Sequence, residues 1–223
     1  MATPRFRGRH LTLLILLLVI MAASPIVVDL ELGLLIINLI GVAVIIAALY
    51  AIGDRRHFLM FAIPLSVASL IANWFMEKYP SHVSVVVEHI IMIILLGFFT
   101  VVILGYVIRS GKVTTDRIYA GICVYIFIGY AWAFAYSLLD EFQPGSFAAP
   151  TQIASNNYID RVIQMRYFSF VTLATIGYGD ITPRTQTART LTILEAIVGQ
   201  FYMVALIGRL VSLQIVHVSG PRK

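Results

Sequence analysis

Charged residues are scarce in this sequence: they make up 12% of its 223 residues, whereas 60% of the residues are hydrophobic. Ordinary soluble domains carry about 25% charged and about 45–50% apolar residues, so the composition argues against a soluble globular protein. The net charge of +5 is too small and too scattered for a nucleic-acid-binding surface. A single cysteine, Cys123, excludes an internal disulfide and a cysteine-based metal site. The HExxH, nucleophile-elbow and phosphate-loop motifs are also missing, and no enzymatic activity is predicted.

Long apolar runs are what the sequence has instead. A helix that crosses a bilayer needs about 20 mostly apolar residues, and six runs are of about this length. They predict an all-α membrane protein with six transmembrane helices, over residues 11–28, 32–52, 58–75, 83–108, 118–139 and 191–215. The first run follows three arginines and ends in Ala22-Ala23-Ser24, so a cleaved signal peptide is the alternative interpretation of that run.

Basic residues indicate the orientation, because short cytoplasmic loops carry the excess of Lys and Arg. Ten of the 16 Lys and Arg residues lie on one side of the predicted membrane: Arg5, Arg7, Arg9, Arg55, Arg56, Arg109, Lys112, Arg117, Arg222 and Lys223. The other side receives Lys78 and mainly acidic residues: Asp29, Glu31, Glu77, Asp140, Glu141 and Asp160. Both termini are therefore predicted to be cytoplasmic, in a multi-pass protein of the cell (plasma) membrane.

The segment between the fifth and sixth runs has an unusual second half. Residues 167–175 are apolar but too few to cross a bilayer as a helix, and Ile176-Gly177-Tyr178-Gly179-Asp180 follows directly. The pattern predicts a re-entrant half-helix and a returning strand. Irregular backbone at membrane depth is tolerated only where protein buries it or where it lines a watery cavity. Gly177 and Gly179 permit backbone dihedrals closed to other residues, so that successive carbonyls can point the same way.

The hexapeptide Thr175-Ile176-Gly177-Tyr178-Gly179-Asp180 resembles the selectivity filter of the tetrameric potassium channels, with Ile for the usual Val. Upstream, residues 167–172 resemble the pore helix of voltage-gated potassium channels, with Tyr-Phe where a Trp-Trp pair is usual. Downstream, residues 180–183 lead to a long helix in which Gly199 holds the position of the family's inner-helix hinge. The resemblance is specific over roughly residues 116–216.

This resemblance implies a potassium-selective channel that conducts K+ passively as a homotetramer in the lipid bilayer, because one chain supplies only one wall of a filter. It implies that K+ binds as the permeant ion, without any cofactor, and that no nucleic acid is a partner. The implied ion-binding groups are the Thr175 hydroxyl and the backbone carbonyls of four residues: Thr175, Ile176, Gly177 and Tyr178. Gly179 completes the filter.

Neighbouring residues are expected to support this filter. In the family the filter tyrosine packs on pore-helix aromatics, and Tyr167 and Phe168 are the candidates for packing on Tyr178. Asp180 is expected at the outer mouth, where it concentrates cations or bonds to a neighbouring hydroxyl or indole group. Asp160 is interpreted as the N-cap or first-turn anion of the half-helix, with Asn156 or Asn157 as alternative caps.

The sixth run is predicted to line an inner cavity. Residues at helical spacing form the lining if Gly199 is the gating hinge: Ala196, Gln200, Met203, Val204 and Ile207. The alternative for Gln200 is a hydrogen bond to another helix. Gly199 and Gly208 are alternatively close-packing positions, which for Gly208 is the preferred interpretation.

Glu195, Glu88 and His89 lie inside apolar runs, where ionisable residues are costly and functional by default. Glu195 is interpreted either as a structural residue paired with Arg189 or with a polar group behind the filter such as Thr172, or as a proton sensor, with the structural role preferred. Glu88 and His89 are adjacent, about 100° apart on a helix, so a joint ion site is not expected. Both are expected near water at the outer end of the fourth helix.

Residues 1–112 hold the position of a voltage sensor and residues 113–223 form the predicted pore domain. A voltage sensor needs about three or four basic residues within the membrane, whereas residues 83–108 include no Lys or Arg. Little intrinsic voltage dependence is therefore predicted. One alternative is a non-selective pore-loop cation channel, but such channels typically replace the aromatic residue at the position of Tyr178. The other is a potassium-transport membrane subunit, but such subunits usually have several pore loops in one chain. A membrane enzyme has only scattered His and Glu residues in its favour.

Overall fold

A computed structural model of the chain describes residues 8–28, 30–53, 56–109, 114–148 and 158–218, with side chains described as far as Arg209 and without that of Ile159. The helices and strands in these ranges are α1 (Arg9–Val27), α2 (Gly33–Ala51), α3 (Arg56–Lys78), α4 (His82–Val107), α5 (Thr115–Phe142), β1 (Phe147–Ala148), α6 (Tyr158–Leu173), β2 (Thr182–Pro183) and α7 (Gln186–Val218).

Six of the described helices, α1 to α5 and α7, are long and apolar enough to cross a bilayer. Large apolar side chains such as Leu39, Phe61 and Val101 point away from the protein interior, as they do in helices that face lipid. The predicted class, an all-α multi-pass membrane protein, is confirmed. Several residues that predicted the orientation or a helix cap lie outside the described part of the chain: Arg5, Arg7, Asp29, Arg55, Lys112, Asn156, Asn157, Arg222 and Lys223.

Local sequence explains where α4 begins. The Ser81 side chain accepts a hydrogen bond from the Ser84 amide at 3.1 Å, and the Ser84 hydroxyl accepts one from the Ser81 amide at 2.9 Å. Two amides that would otherwise lack a partner in the first turn are satisfied in this way. The reciprocal pair follows Pro80, which separates α4 from α3.

A single apolar core connects the N-terminal helices to α5 and α7. Its buried members include Leu13 of α1, Phe99 of α4, Phe127 of α5 and Tyr202 of α7. The core therefore continues across the predicted boundary at residue 112, and the division into two domains stays a prediction. Removal of α1 as a signal peptide would take Leu13 and its neighbours out of this core.

A polar cluster joins α1, α4 and α5 at one end of the core. His10 of α1 places Nδ1 2.7 Å from Asp116 Oδ2, and the His10 amide donates to Asp116 Oδ1 at 3.2 Å. The His10 ring stacks on Tyr106 at 5.0 Å between centroids, and the Tyr106 hydroxyl donates to Asp116 as well. Asp116 therefore anchors both α1 and α4 to the first turn of α5.

A second, smaller core holds α6 between α5 and α7. Its buried residues are Tyr136, Phe147, Met165, Phe168, Ile181 and Ala188. Strand β1 pairs with β2 in antiparallel register, Phe147 opposite Pro183, and the Arg184 amide donates to the Ser146 carbonyl at 2.8 Å. The chain after α5 is thereby fixed to the chain that leads into α7.

Candidate functional site

Helix α6 is half the length of its neighbours. Its 16 residues extend about 24 Å at about 1.5 Å per residue, which is less than the hydrocarbon thickness of about 30 Å. It begins at Tyr158, before the apolar stretch at residues 167–175, and its first turns are polar. Asp160 lies in the first turn, as predicted for a first-turn anion.

The loop after α6 has alternating backbone dihedrals. The φ angles of Thr175, Gly177 and Gly179 are +56°, +63° and +79°, whereas Ile176 and Tyr178 between them have ordinary negative values. This alternation permits successive carbonyls to face one side of the strand. The two glycines were predicted from sequence, but Thr175 was not, because a β-branched residue is a genuine outlier at positive φ. Such strain costs about 1–3 kcal/mol and is typical of functional sites.

Backbone hydrogen bonds attach this loop to the last turn of α6. The amides of Ile176 and Gly177 donate to the Val171 carbonyl at 2.9 and 3.4 Å, and the Thr175 amide donates to the Thr172 carbonyl at 2.9 Å. Carbonyls that end a helix without a partner are satisfied in this way. Thr172, predicted as a filter-supporting residue, provides its carbonyl here.

The large side chains of the loop are exposed in the single chain: Ile176 is 52% exposed and Tyr178 is 69% exposed. The Phe168 ring, predicted to contact Tyr178, is buried and packs on Tyr136 and Phe147 at 5.2 and 5.3 Å between centroids. Packing of Tyr178 against α6 aromatics is thus not formed within one chain, and it stays a prediction for an assembly of several chains.

Asp180 bonds to a hydroxyl group, one of the two roles predicted for it. The Tyr167 hydroxyl donates to Asp180 Oδ2 at 2.6 Å, and the Ile181 amide donates to Oδ1 at 3.0 Å. The hydrogen bond from Tyr167 holds the pKa of Asp180 below its ordinary value, and the Ile181 amide acts in the same direction. Asp180 is therefore ionised at the exposed end of the loop.

Tyr167→Phe is expected to raise the pKa of Asp180 toward the ordinary aspartate value of about 3.9. A lowered pKa stabilises the folded protein above that value, and the contribution disappears as the pH falls through the folded-state pKa. The variant is therefore expected to be less stable than the wild type at neutral pH, with the difference vanishing in acid. Titration of the carbon-13-labelled Asp180 carboxyl group measures the pKa directly.

Tyr79→Phe is the matched control for this titration, because the Tyr79 hydroxyl donates to no described group. It should leave the pKa of Asp180 where the wild type has it. An unchanged pKa in Tyr167→Phe would contradict the assigned hydrogen bond.

Glu195 of α7 lies fully buried between α5 and α6. Its Oε2 accepts a hydrogen bond from the Tyr136 hydroxyl at 2.5 Å, and its Oε1 lies 2.5 Å from Ser169 Oγ. Neither predicted partner was right: the Arg189 guanidinium donates to the Pro183 carbonyl, and Thr172 is not bonded to Glu195 in the described part of the chain. The broader expectation of polar partners behind the loop fits these contacts.

Helix α7 approaches α6 closely at Gly199. A Cβ built on Gly199 would lie 2.7 Å from the Leu173 carbonyl oxygen, closer than real Cβ atoms come. Gly199 is therefore a close-packing position, which was the alternative interpretation of this residue. Its role as a gating hinge stays a prediction. Gly208, for which close packing was preferred, has no atom within 4 Å of such a Cβ in this chain.

The predicted lining residues lie on a face of α7 that α5 and α6 do not cover. Gln200, Met203, Val204 and Ile207 are all exposed in the single chain, with Val204 at 71%. Among the described residues Gln200 forms no hydrogen bond to another helix, which leaves its cavity role as the remaining interpretation. That role stays a prediction.

Glu88 and His89 lie in the second turn of α4, as predicted, but they are buried and not close to water. The Tyr158 hydroxyl donates to Glu88 at 2.9 Å, and the His89 ring packs edge-on against Phe134. The two side chains also approach each other, with His89 Nδ1 3.1 Å from Glu88 Oε2, which the 100° separation did not predict. Within the described residues no group of three His, Cys, Asp or Glu is placed to hold a metal ion.

Comparisons with known proteins agree with this geometry. Residues 122–214, which include most of α5, all of the loop and most of α7, match a protein family described as "Ion channel". A 46-residue stretch is 48% identical to Two-pore potassium channel 4 from Arabidopsis thaliana; it covers 21% of this chain and only 16% of that relative's length. No solved structure is significantly similar to the chain.

Proposed function

We propose that the chain, through residues 122–214, belongs to the ion channel family within the potassium channel superfamily, and that it forms a potassium-selective pore that conducts K+ passively. The observation that carries the proposal is the alternation of positive and negative φ from Thr175 to Gly179. A strand with this alternation can direct successive carbonyl oxygens at one axis. Family membership also argues against an enzymatic role.

Selectivity comes from the backbone in this proposal. Carbonyl oxygens of residues 175–178, with the Thr175 hydroxyl, replace the water shell of K+ in a row of sites. Asp180 at the outer end of the row is ionised and attracts cations toward it. Helix α6 directs the negative end of its dipole toward the inner end of the row, which favours a cation there.

A homotetramer supplies the complete filter. One chain contributes one loop, and its Ile176 and Tyr178 side chains are exposed in isolation, so neighbouring copies are needed to cover them. Four copies around a cyclic axis enclose the row of carbonyls. The exposed face of α7, with Gln200, Met203, Val204 and Ile207, lines the cavity below it.

Helices α1 to α4 act as a fixed support for this pore and not as a voltage sensor. Helix α4 includes no Lys or Arg, whereas voltage sensing uses about three or four charges per subunit, each worth about 2.3 kcal/mol per 100 mV. The distribution of basic residues supports cytoplasmic termini.

The conductance of the reconstituted channel in symmetric potassium is expected to vary little with voltage, because α4 supplies no gating charge. Planar-bilayer recording measures the open probability between −100 and +100 mV, roughly the range in which gating charges act. A steep conductance–voltage curve would contradict the assignment of α1 to α4 as a support.

Ion flux from liposomes tests the function itself. Vesicles with purified protein are loaded with potassium and diluted into sodium, and rapid barium-blocked potassium efflux is the expected result. Equal sodium and potassium permeation would favour the non-selective pore-loop channel. Saturable transport without unitary current steps would favour a potassium-transport subunit.

A further inference from the structure

Three helices meet at a buried glutamate that has no cation beside it. Glu195 of α7, Ser169 of α6 and Tyr136 of α5 are each fully buried. Within the described part of the chain no Lys, Arg or His forms an ion pair with Glu195. An isolated carboxylate in such a place is very costly unless it is neutralised.

The titratable groups around Glu195 do not supply a positive charge. Helix α5 presents two tyrosines to it, Tyr136 and Tyr125. The nearest arginine of α6, Arg166, donates instead to the Tyr130 hydroxyl at 3.4 Å, and Arg189 of α7 bonds to the backbone of Pro183. The environment of Glu195 therefore consists of neutral hydrogen-bonding groups.

The number of protons in the cluster can be counted from its oxygen–oxygen distances. Three contacts have hydrogen-bond lengths: Tyr136 Oη to Glu195 Oε2 at 2.5 Å, Glu195 Oε1 to Ser169 Oγ at 2.5 Å, and Ser169 Oγ to the Gly129 carbonyl at 2.8 Å. Each contact needs one proton, whereas Tyr136 and Ser169 have one each and a backbone carbonyl has none. The third proton has to belong to Glu195.

We propose that Glu195 is held protonated and is a positioning residue of the pore, since its proton completes a hydrogen-bond chain that fixes α6 to α5 and α7. Tyr136 donates to Glu195, Glu195 donates to Ser169, and Ser169 donates to the Gly129 carbonyl. Every donor and acceptor of the chain is then satisfied. The inference rests on the proposed function for its consequence, which is to hold the loop that follows α6.

Close packing of α6 against α5 and α7 explains why the charged form of Glu195 is excluded. A Cβ on Gly129 would lie 2.7 Å from the Phe170 ring, and one on Gly199 would lie 2.7 Å from the Leu173 carbonyl. Helix α5 thus packs closely on α6 at Gly129, and α7 packs closely on α6 at Gly199. Without the Glu195 proton, Ser169 Oγ can donate either to Glu195 or to the Gly129 carbonyl, but not to both. The remaining contact would then join two acceptors without a hydrogen, and their repulsion pushes α6 away.

Infrared difference spectroscopy of the full-length protein in liposomes tests the proton directly. A protonated carboxyl group has a carbonyl stretching band that carboxylates lack, and this band is expected at neutral pH in the wild type and lost in Glu195→Gln. Glu141→Gln is the matched control, because Glu141 of α5 is paired with Arg161 and His82 and should contribute no such band. Absence of a Glu195-dependent band would overturn the proposal.

Potassium flux tests the positioning role. Glutamine can donate to Ser169 and accept from Tyr136, so Glu195→Gln is expected to keep flux within about twofold of the wild type, with no pH dependence between pH 5 and 8. Glu195→Leu removes the acceptor of the Tyr136 hydroxyl and the donor to Ser169 Oγ, and it should lower flux by about tenfold or more. Loss of flux in Glu195→Gln beside an active wild type would overturn the role. A wild type that conducts no potassium would instead refute the proposed function, because the infrared band does not depend on conduction.

Discussion

Gly177→Asp is expected to abolish potassium flux from liposomes, with a decrease of about 100-fold or more. Gly177 has φ of +63°, a conformation that costs a residue with a side chain roughly 1–2 kcal/mol. The space around Gly177 is open within one chain, so the backbone, and not a steric contact in the chain, is the first cause. In a tetramer the substitution also adds four negative charges beside the proposed row of carbonyls, which disturbs the balance between entry and release of K+ that conduction needs.

Gly145→Asp is the matched control for this experiment. Gly145 follows α5, has φ of +81° and also has no atom within 4 Å of a built Cβ, so it bears a similar backbone strain outside the loop. Its flux should stay close to that of the wild type. Unimpaired flux in Gly177→Asp would mean that residues 175–179 are not the filter.

Gly199→Val is expected to have the second-largest effect. Its Cβ would lie 2.7 Å from the Leu173 carbonyl and 2.9 Å from the Leu173 side chain, and a backbone oxygen at the end of α6 has little freedom to move. Overpacking of this kind typically costs about 1–3 kcal/mol. Lower thermal stability and a large loss of flux are therefore expected together, and melting of the purified oligomer with liposome flux measures both.

Gly208→Val separates packing from hinge bending on the same helix. Nothing lies within 4 Å of a Cβ at Gly208, so the variant should melt near the wild-type temperature. If Gly199→Val also melts there and changes only channel opening, the hinge interpretation of Gly199 is favoured over close packing.

The features that depend on local sequence were predictable. The apolar runs gave the all-α membrane class, and the motif at residues 175–180 located the loop between α6 and α7. The apolar pattern did not show the N-terminal part of α6, since Asp160, Arg161 and Gln164 interrupt it, and only the expected role of Asp160 as N-cap or first-turn anion indicated a helix start there. Hydropathy alone does not identify a helix whose first turns are polar.

The contacts of buried polar residues were the part that sequence could not provide. Glu195 bonds to Tyr136 and Ser169, which lie 59 and 26 residues away, and nothing in their spacing indicates a shared interface. The expected pairing with Arg189 relied on proximity along one helix. Glu88 was expected near water because it lies near the outer end of the fourth helix, but Tyr158 of α6, 70 residues away, covers it.

The bond between His10 and Asp116 has a consequence for biogenesis. These residues are separated by 106 positions in the chain, and ribosomes add about 5–20 residues per second. Helix α1 therefore leaves the ribosome roughly 5–20 s before the first turn of α5 is available. During that interval the His10 side chain, which is buried in the folded chain, lacks Asp116 as its partner. Docking of α1 is thus a late step of assembly, which has to wait for the helix that the proposed pore is built on.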